Sequence, residues 1–422
     1  MQLLIRQALL IDKRSGFHNK TVDILIENGI IKKIGKVTGA KPPKVIEGAG
    51  IVVSPGWVDI LADYREPGFE QKETIASGLN AAAAGGFTEV FCMPNTNPTV
   101  STSSQVQFVA QKAAGHIVTL YPLGAASQQI EGKVLSEMLD MRAHGAIAFT
   151  DGWKPIQNAN LTLKALEYIR AFDGVLIQLP VEESLSKGGL MHEGVTSTRL
   201  GMPGIPEMAE TLLLHRDIEL LRYTNSKLHV SGISCATSVE MIRAAKADGL
   251  NITCSVTPYH LALTEADLVG YSSLYKVTPP LRSEADRQAL IKGLKDGTID
   301  CIASHHRPQD WDAKEKEFEY AADGMNIQEL AFSILFDAVG KKVGLDRLVD
   351  ALTIKPRAIF GLDEALIEEG AQANLTIFST EATYTATKGK LKSASQNNPF
   401  LGKELKGKVL GIANNKKNSI NK

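Results

Sequence analysis

The chain has 422 residues, 44% of them hydrophobic, and its 46 Lys and Arg against 47 Asp and Glu give a formal net charge of −1. That balance gives no electrostatic case for nucleic acid or an anionic membrane surface as partner, and 36 Gly and 17 Pro spread along a chain this apolar exclude a disordered or collagen-like polymer. The length allows two or three domains, or one large barrel with an appendage.

The first fifty residues alternate short apolar runs with turn residues: LLIRQALLI, TVDILIENGIIKKIGKV and KVIEGAGIVVSP. They predict a small antiparallel β unit. Arg6 interrupts the apolar start and no run approaches the roughly 18–20 residues of a membrane span, so the expectation is a soluble, cytoplasmic protein without a leader. Eight strand-like runs follow: 52–63, 90–94, 117–124, 145–151, 174–181, 227–234, 251–258 and 300–306. Each leaves room for a helix after it. PEMAETLLLHRDIELLRYT and TSVEMIRAAKADGL carry helical period, with Met241, Ile242 and Ala245 on one face of the second. Gly85 and Gly86 read as a helix stop rather than a phosphate loop, since no G-K-[ST] accompanies them.

Eight strand-then-helix units predict a (β/α)8 barrel, 55–361, in the α/β class. The late strand ANLTIFST belongs with the N-terminal strands in a composite β module, 1–54 plus 362–422, a small sandwich with frayed last residues. The segment Arg307–Tyr320 reads as a solvated charged face. Cys92, Cys235, Cys254 and Cys301 form no C-x-x-C pair and read as buried thiols.

In such a barrel the chemistry sits at the C-terminal ends of the strands. Those ends hold Leu61 and Asp63, Asn95, Asp151, Leu179, Gly232, His260, and His305 with His306. Polar residues there serve either a site or an ordinary cap.

The run VDILADYREPGFEQKETIASGLNAAAAGGFTEVFCMPNTNP resembles the first signature of the cyclic amidohydrolases, most closely the dihydroorotases associated with aspartate carbamoyltransferase. AFTDGWKPIQN, MHEGVTSTRLGMPGIPEMAE, SVTPYHLALTEADL, KVTPPLRSEADRQALIKGLKDGTID, KPRAIFGL and GAQANLTIF continue the resemblance in family order. It covers nearly the whole chain. It implies an amidohydrolase-like barrel, a role in pyrimidine biosynthesis, and one or two zinc ions held by an H-x-H pair after strand one, Asp after strand four, His after strands five and six, and Asp after strand eight. That last Asp is the base for a metal-activated water.

Zinc needs converging N, O or S donors, and five of those six positions depart from the pattern. D-x-H-x-H is here Asp59-Ile60-Leu61-Ala62-Asp63; the strand-five, strand-six and strand-eight ligands fall on Leu179, Gly232 and His305. Asp151 alone is retained, and Gly152 replaces the next Asp of TDDG. His229 cannot stand in for Gly232, because three residues along a strand reverse the face. His260 matches a family histidine that is not a ligand and reads as a hydrogen-bonded loop residue. On the substrate side Arg65 and Asn95 persist, whereas the family's third and fourth contacts are Gln309 and Thr278.

Three readings stay open. The first is a non-catalytic, metal-free homologue with a structural or regulatory role, partnered by aspartate carbamoyltransferase or a catalytic dihydroorotase, and oligomeric. A second is an enzyme with a rebuilt single-zinc site from Asp63, Asp151 and His305, assisted by His306 and Glu182. In the third, Arg65 and Asn95 sense dihydroorotate or carbamoyl aspartate without chemistry.

Overall fold

The computed structural model describes residues 2–39 and 42–421. Alternating apolar side chains build β1 (Gln2–Leu10), β2 (Thr21–Glu27) and β3 (Ile30–Gly35), which pair antiparallel in succession. β4 (Val45–Ile46) and β5 (Ile51–Pro55) then return parallel to β1. The unit is therefore mixed rather than purely antiparallel, because the β2–β3 hairpin and the segment after it act as a crossover.

The run 52–63, expected as one strand, is two. Pro55 ends β5, and the chain passes through Gly56 into β6 (Trp57–Ala62), the first barrel strand. Backbone bonds from Gly56 to Asn374 and from Trp57 to the Thr376 hydroxyl pin the crossing. β7 (Phe87–Cys92) and β8 (Thr119–Pro122) pair parallel with it in turn. The fourth barrel position is reduced to Phe149, which bridges Gly124 on one side and Leu176 on the other. β9 (Leu176–Gln178) follows, then a two-stranded ribbon of β10 (Met191–His192) and β11 (Gly204–Ile205) outside the barrel. β12 (Leu228–Ser231), β13 (Ile252–Val256) and β14 (Cys301–Ile302) complete the parallel set. The barrel closes where His306 bridges Ala62 and its carbonyl accepts from the Asp63 amide at 2.9 Å.

Helices follow the strands, among them Ile75–Ala84, Ser103–Lys112, Ala159–Arg170 and Glu284–Asp296. Thr74, Thr102, Asn158 and Ser283 accept a backbone N–H in the first turn of these four, each cap worth about 1 kcal/mol. The helix at 75–84 ends at Gly85, as its sequence predicts. Val58, Ile60, Leu61, Phe91, Ile177 and Phe360 share a buried cluster that joins strands to the last helix, Ile354–Phe360.

β15 (Leu375–Thr385), β16 (Glu404–Asn414) and β17 (Lys417–Ile420) join the N-terminal strands in one sheet, ordered β17-β16-β15-β5-β1-β2-β3 with β4 on β1. Both termini thus build the module, along a single hydrogen-bonded path. The described C-terminal residues, through Asn421, are not frayed: Asn415 and Lys416, both at positive φ, turn the chain into β17, and Asn421 donates to Ala84 and Val409 carbonyls. No helix among the described residues is long and apolar enough to cross a membrane.

Candidate functional site

The end of β6 presents Leu61, Asp63 and Arg65 at the barrel mouth. Leu61 is 3% exposed and belongs to the apolar cluster beneath the mouth. Asp63 is fully buried; its Oδ2 accepts from Arg65 at 3.0 Å and from the Trp153 indole at 2.8 Å, and its Oδ1 accepts the Arg65 amide at 3.3 Å. Two cationic or polarised donors thus hold the carboxylate in place of a metal.

Trp153 was not singled out from the sequence. It stands where the matched TDDG motif has its glycine, and that exchange of hydrogen for indole was the available signal. Its ring packs edge-to-face on His305 at 5.5 Å, and the Arg307 guanidinium lies 4.5 Å over it. Arginine, indole and imidazole therefore lie in a row, and the indole packs against the cluster that contains Leu61.

His305, after β14, has φ +50 and is 1% exposed. Its Nε2 pairs with Ser231 Oγ at 2.9 Å, Ser231 Oγ pairs with Ser255 Oγ at 3.1 Å, and Ser255 Oγ meets His229 Nε2 at 3.1 Å. This polar chain runs along the inner wall of β12 and β13. Burial pushes both imidazoles down to about 3, because a charged ring is costly there. His305 Nδ1 has no partner. Gly232, at φ +74, leaves the space that the His305 ring fills.

Asp151 faces elsewhere. Its carboxylate is taken by the Ser127 amide at 2.8 Å and by the Ser127 hydroxyl, and burial lifts it to about 6. Asn95 donates to the Asp151 carbonyl at 3.2 Å, and its Oδ1 is buried without a partner. That oxygen lies 1.9 Å from where a Cβ at residue 152 would be, so the Asp-to-Gly change at 152 admits the Asn95 amide. Leu179 is 4% exposed. Glu182 caps its own turn by accepting from Ser184. His306 is fully buried: Nδ1 receives the Ile327 and Gln328 amides, and Nε2 faces Glu73 at 3.4 Å. His260 is held by the Thr257 hydroxyl at 2.9 Å and by the Pro279 and Pro280 carbonyls at 3.2 Å, and burial lowers it to about 4.

At the rim, Gln309 Oε1 accepts from Lys72 at 2.7 Å and from Arg65 at 3.4 Å, and Nε2 donates to the Asp323 carbonyl. Thr278 donates to Asp323 Oδ2 at 2.6 Å. Arg65, Asn95 and Gln309 thus gather around the mouth, with Thr278 joined through Asp323. Arg65 Nε and Arg307 Nε are buried and unpartnered. Sequence reasoning missed Lys72, Ser231 and Arg307. The segment after β14 is also less solvated than expected: Lys314 and Phe318 are buried, and the Lys314 ammonium donates to the Ala322 carbonyl at 2.8 Å. Lost water lowers the Lys314 ammonium to about 7 despite the carbonyls around it, so charge in this segment did not mean exposure.

Two chemistries can be tested against this geometry. For zinc, Leu61, Leu179 and Gly232 have no donor, and the carboxylates of Asp63 and Asp151 are closed on different partners. Among the described residues no three His, Cys, Asp or Glu side chains converge as a metal group would require. The residues present do not fit the ion. For serine nucleophilic catalysis, Ser231 and His305 meet the distance rule, but no third group orients Nδ1 and a ring titrating near 3 is a weak base. The pair is part of a buried polar chain.

A family model described as dihydro-orotase-like matches residues 50–238. A protein named dihydroorotase from Syntrophus aciditrophicus is 38% identical over 414 residues, covering 97% of each chain. Another, from Caldicellulosiruptor saccharolyticus, is 40% identical over 422 residues, covering 98% of this chain and 97% of its own. Among solved structures, L-hydantoinase (dihydropyrimidinase) from Arthrobacter aurescens superposes with a TM-score of 0.84 at 22% identity, covering 97% of this chain and 94% of its own. That likeness bears on the fold, which is the amidohydrolase-type barrel.

Proposed function

The chain belongs to the dihydroorotase family, and from that premise we propose that it is a metal-free, non-catalytic member with a regulatory or structural role in pyrimidine biosynthesis. One observation carries this reading: Trp153, packed against the apolar cluster that contains Leu61, with Arg307 over its ring and His305 edge-on to it, stands where no three metal-binding side chains converge among the described residues. Asp63 is neutralised by Arg65 and Trp153 instead. With Asp replaced by His305 after β14, the family's base is missing as well.

What this chain's residues can still do is bind. Arg65 Nε and Asn95 Oδ1 are a donor and an acceptor without partners, and a guanidinium suits a carboxylate. They support a second, compatible reading, in which the rim senses dihydroorotate or carbamoyl aspartate and passes that state to a partner. That partner, in this proposal, is aspartate carbamoyltransferase or an active dihydroorotase in the cytoplasm.

Elemental analysis after incubation with excess zinc and bicarbonate, together with a dihydroorotate turnover assay, tests the first reading. We expect neither tightly held metal nor turnover; one or two retained ions per chain with ring hydrolysis would overturn it. Thermal stabilisation by either ligand, lost in Arg65→Ala, is the expected sign of the second.

A further inference from the structure

Behind the rim lies a second cavity of about 710 Å³, between the segment after β14 and the stretch 387–402. That volume falls within the roughly 300–1,000 Å³ of small-molecule sites. It adjoins the barrel mouth and shares Gln309 with it, but its other walls are separate: Leu274, Pro399 and Leu401 supply apolar surface, and Trp311, in the short helix Trp311–Lys314, is among its lining residues with 69% of its surface exposed.

The polar lining of the cavity mixes side-chain amides with two lysines, Lys314 and Lys388, two carboxylates, Asp310 and Glu315, and the hydroxyls of Thr387 and Ser395. Asn397 and Asn398 are spent on the backbone: Asn397 donates to the Arg307 and Gly324 carbonyls, and Asn398 to that of Asn326. Gln396 accepts from the Gly389 amide through Oε1, which leaves its Nε2 to donate, and Gln71 is exposed. An indole, apolar walls and a lining of balanced charge that offers both donors and acceptors match a flat ring whose edge carries both. Such a ring stacks on the aromatic and pairs with donors and acceptors of the lining, and two lysines against two carboxylates leave no net charge for a ligand to offset.

We propose that this cavity is a binding site for a planar heterocycle of the nucleobase class, with Trp311 as its stacking platform. The inference goes beyond the reading of the mouth and does not require it. The two places are nevertheless linked, since Gln309 donates its amide to Asn397 Oδ1 at 3.0 Å and receives Lys72 and Arg65 on its side chain.

Isothermal titration of the full chain with uridine, adenosine and their 5′-monophosphates tests the proposal. At least one is expected to bind once per chain, roughly tenfold or more weaker in Trp311→Ala and restored in Trp311→Phe. Binding of the monophosphates alone would place recognition on the phosphate and overturn the nucleobase assignment. So would the absence of binding at millimolar concentration, or affinity indifferent to Trp311→Ala. Concentration-dependent self-association abolished by Trp311→Ala, without nucleoside binding, would make the cavity an interface between copies and also overturn the proposal.

Discussion

The imidazole of His305 occupies the volume that any side chain at Gly232 would need: a Cβ there would lie 2.4 Å from His305 Cε1 and 3.1 Å from Nε2. The family's histidine after strand six and its aspartate after strand eight have thus exchanged bulk, glycine for the first and imidazole for the second. Gly232→Ala meets both that clash and a φ of +74, and is expected to cost about 2–4 kcal/mol from overpacking and backbone strain together. In a His305→Ala background only the backbone part remains, about 1 kcal/mol. A denaturation double-mutant cycle should give a coupling of roughly 1–3 kcal/mol; additive losses would show that the two positions do not share the space.

The donor deficit predicts how metal binding returns. Leu61→His, Asp63→His, Leu179→His, Gly232→His and His305→Asp, combined with Trp153→Gly, restore the family pattern and remove the plug. Zinc retained after dialysis is expected to rise from none to at least one ion per chain in the combined variant, and to stay at none in each single change, because one imidazole cannot close a tetrahedral site. Gly232→His alone is also blocked by the His305 ring. Retention equal to wild type in the combined variant would place the obstacle elsewhere than in the ligand set.

The strand-helix alternation made the barrel legible, because its strands are apolar runs at regular intervals and its helices keep one buried stripe. The site was legible only as loss. Leu61, Leu179 and Gly232 announce missing donors by residue type, but what fills the space is tertiary: nothing in the order Gly152-Trp153 says that the indole reaches Asp63, ninety residues away in sequence. Asp63, Asp151 and His305 looked equivalent as strand-end residues, yet Ser127 and Ser231, from other strands and loops, decide where two of them bond. The ordered β17 was hidden for the same reason, since a Lys-rich tail pairs with a strand as readily as it dissolves once a turn at Asn415 and Lys416 sets the register.

Acid should destabilise the fold through its buried histidines. His229 and His305 near 3 and His260 near 4 are depressed below their unfolded value of about 6.5. The unfolded chain therefore binds more protons, so the stability they support is complete above about pH 6.5 and is lost as pH falls toward 3 to 4. Asp151 and Asp217, raised to about 6, act in the opposite sense: they favour the fold below about pH 4 and lose that contribution as pH rises through 6. His305→Asn removes one titrating ring, and between pH 4 and 6 its stability should fall less steeply with acid, by about 1.4 kcal/mol per pH unit. Urea midpoints across that range measure the slope; one identical to wild type would mean His305 takes up its proton in the folded state.

The four thiols give a readout of folding itself. Cys92, Cys235, Cys254 and Cys301 are all free and buried, and burial raises every one, Cys92 and Cys254 to about 12. The thiolate is the reactive form, so at neutral pH the native chain offers neither access nor nucleophile. A chromogenic disulfide reagent should titrate none of the four in buffer and all four in denaturant, with each reaction in buffer limited by opening of the fold. Because Cys235 lies against Glu210 and Ser238, Cys254 in the cluster with Val239 and Ile242, and Cys301 in the cluster with Val58, Ile60 and Phe360, uniform rates would show global opening. A fast Cys235 alone would show that the wall around Arg282 and Glu210 opens by itself, and rapid reaction of any thiol in buffer would contradict the packing described for that strand.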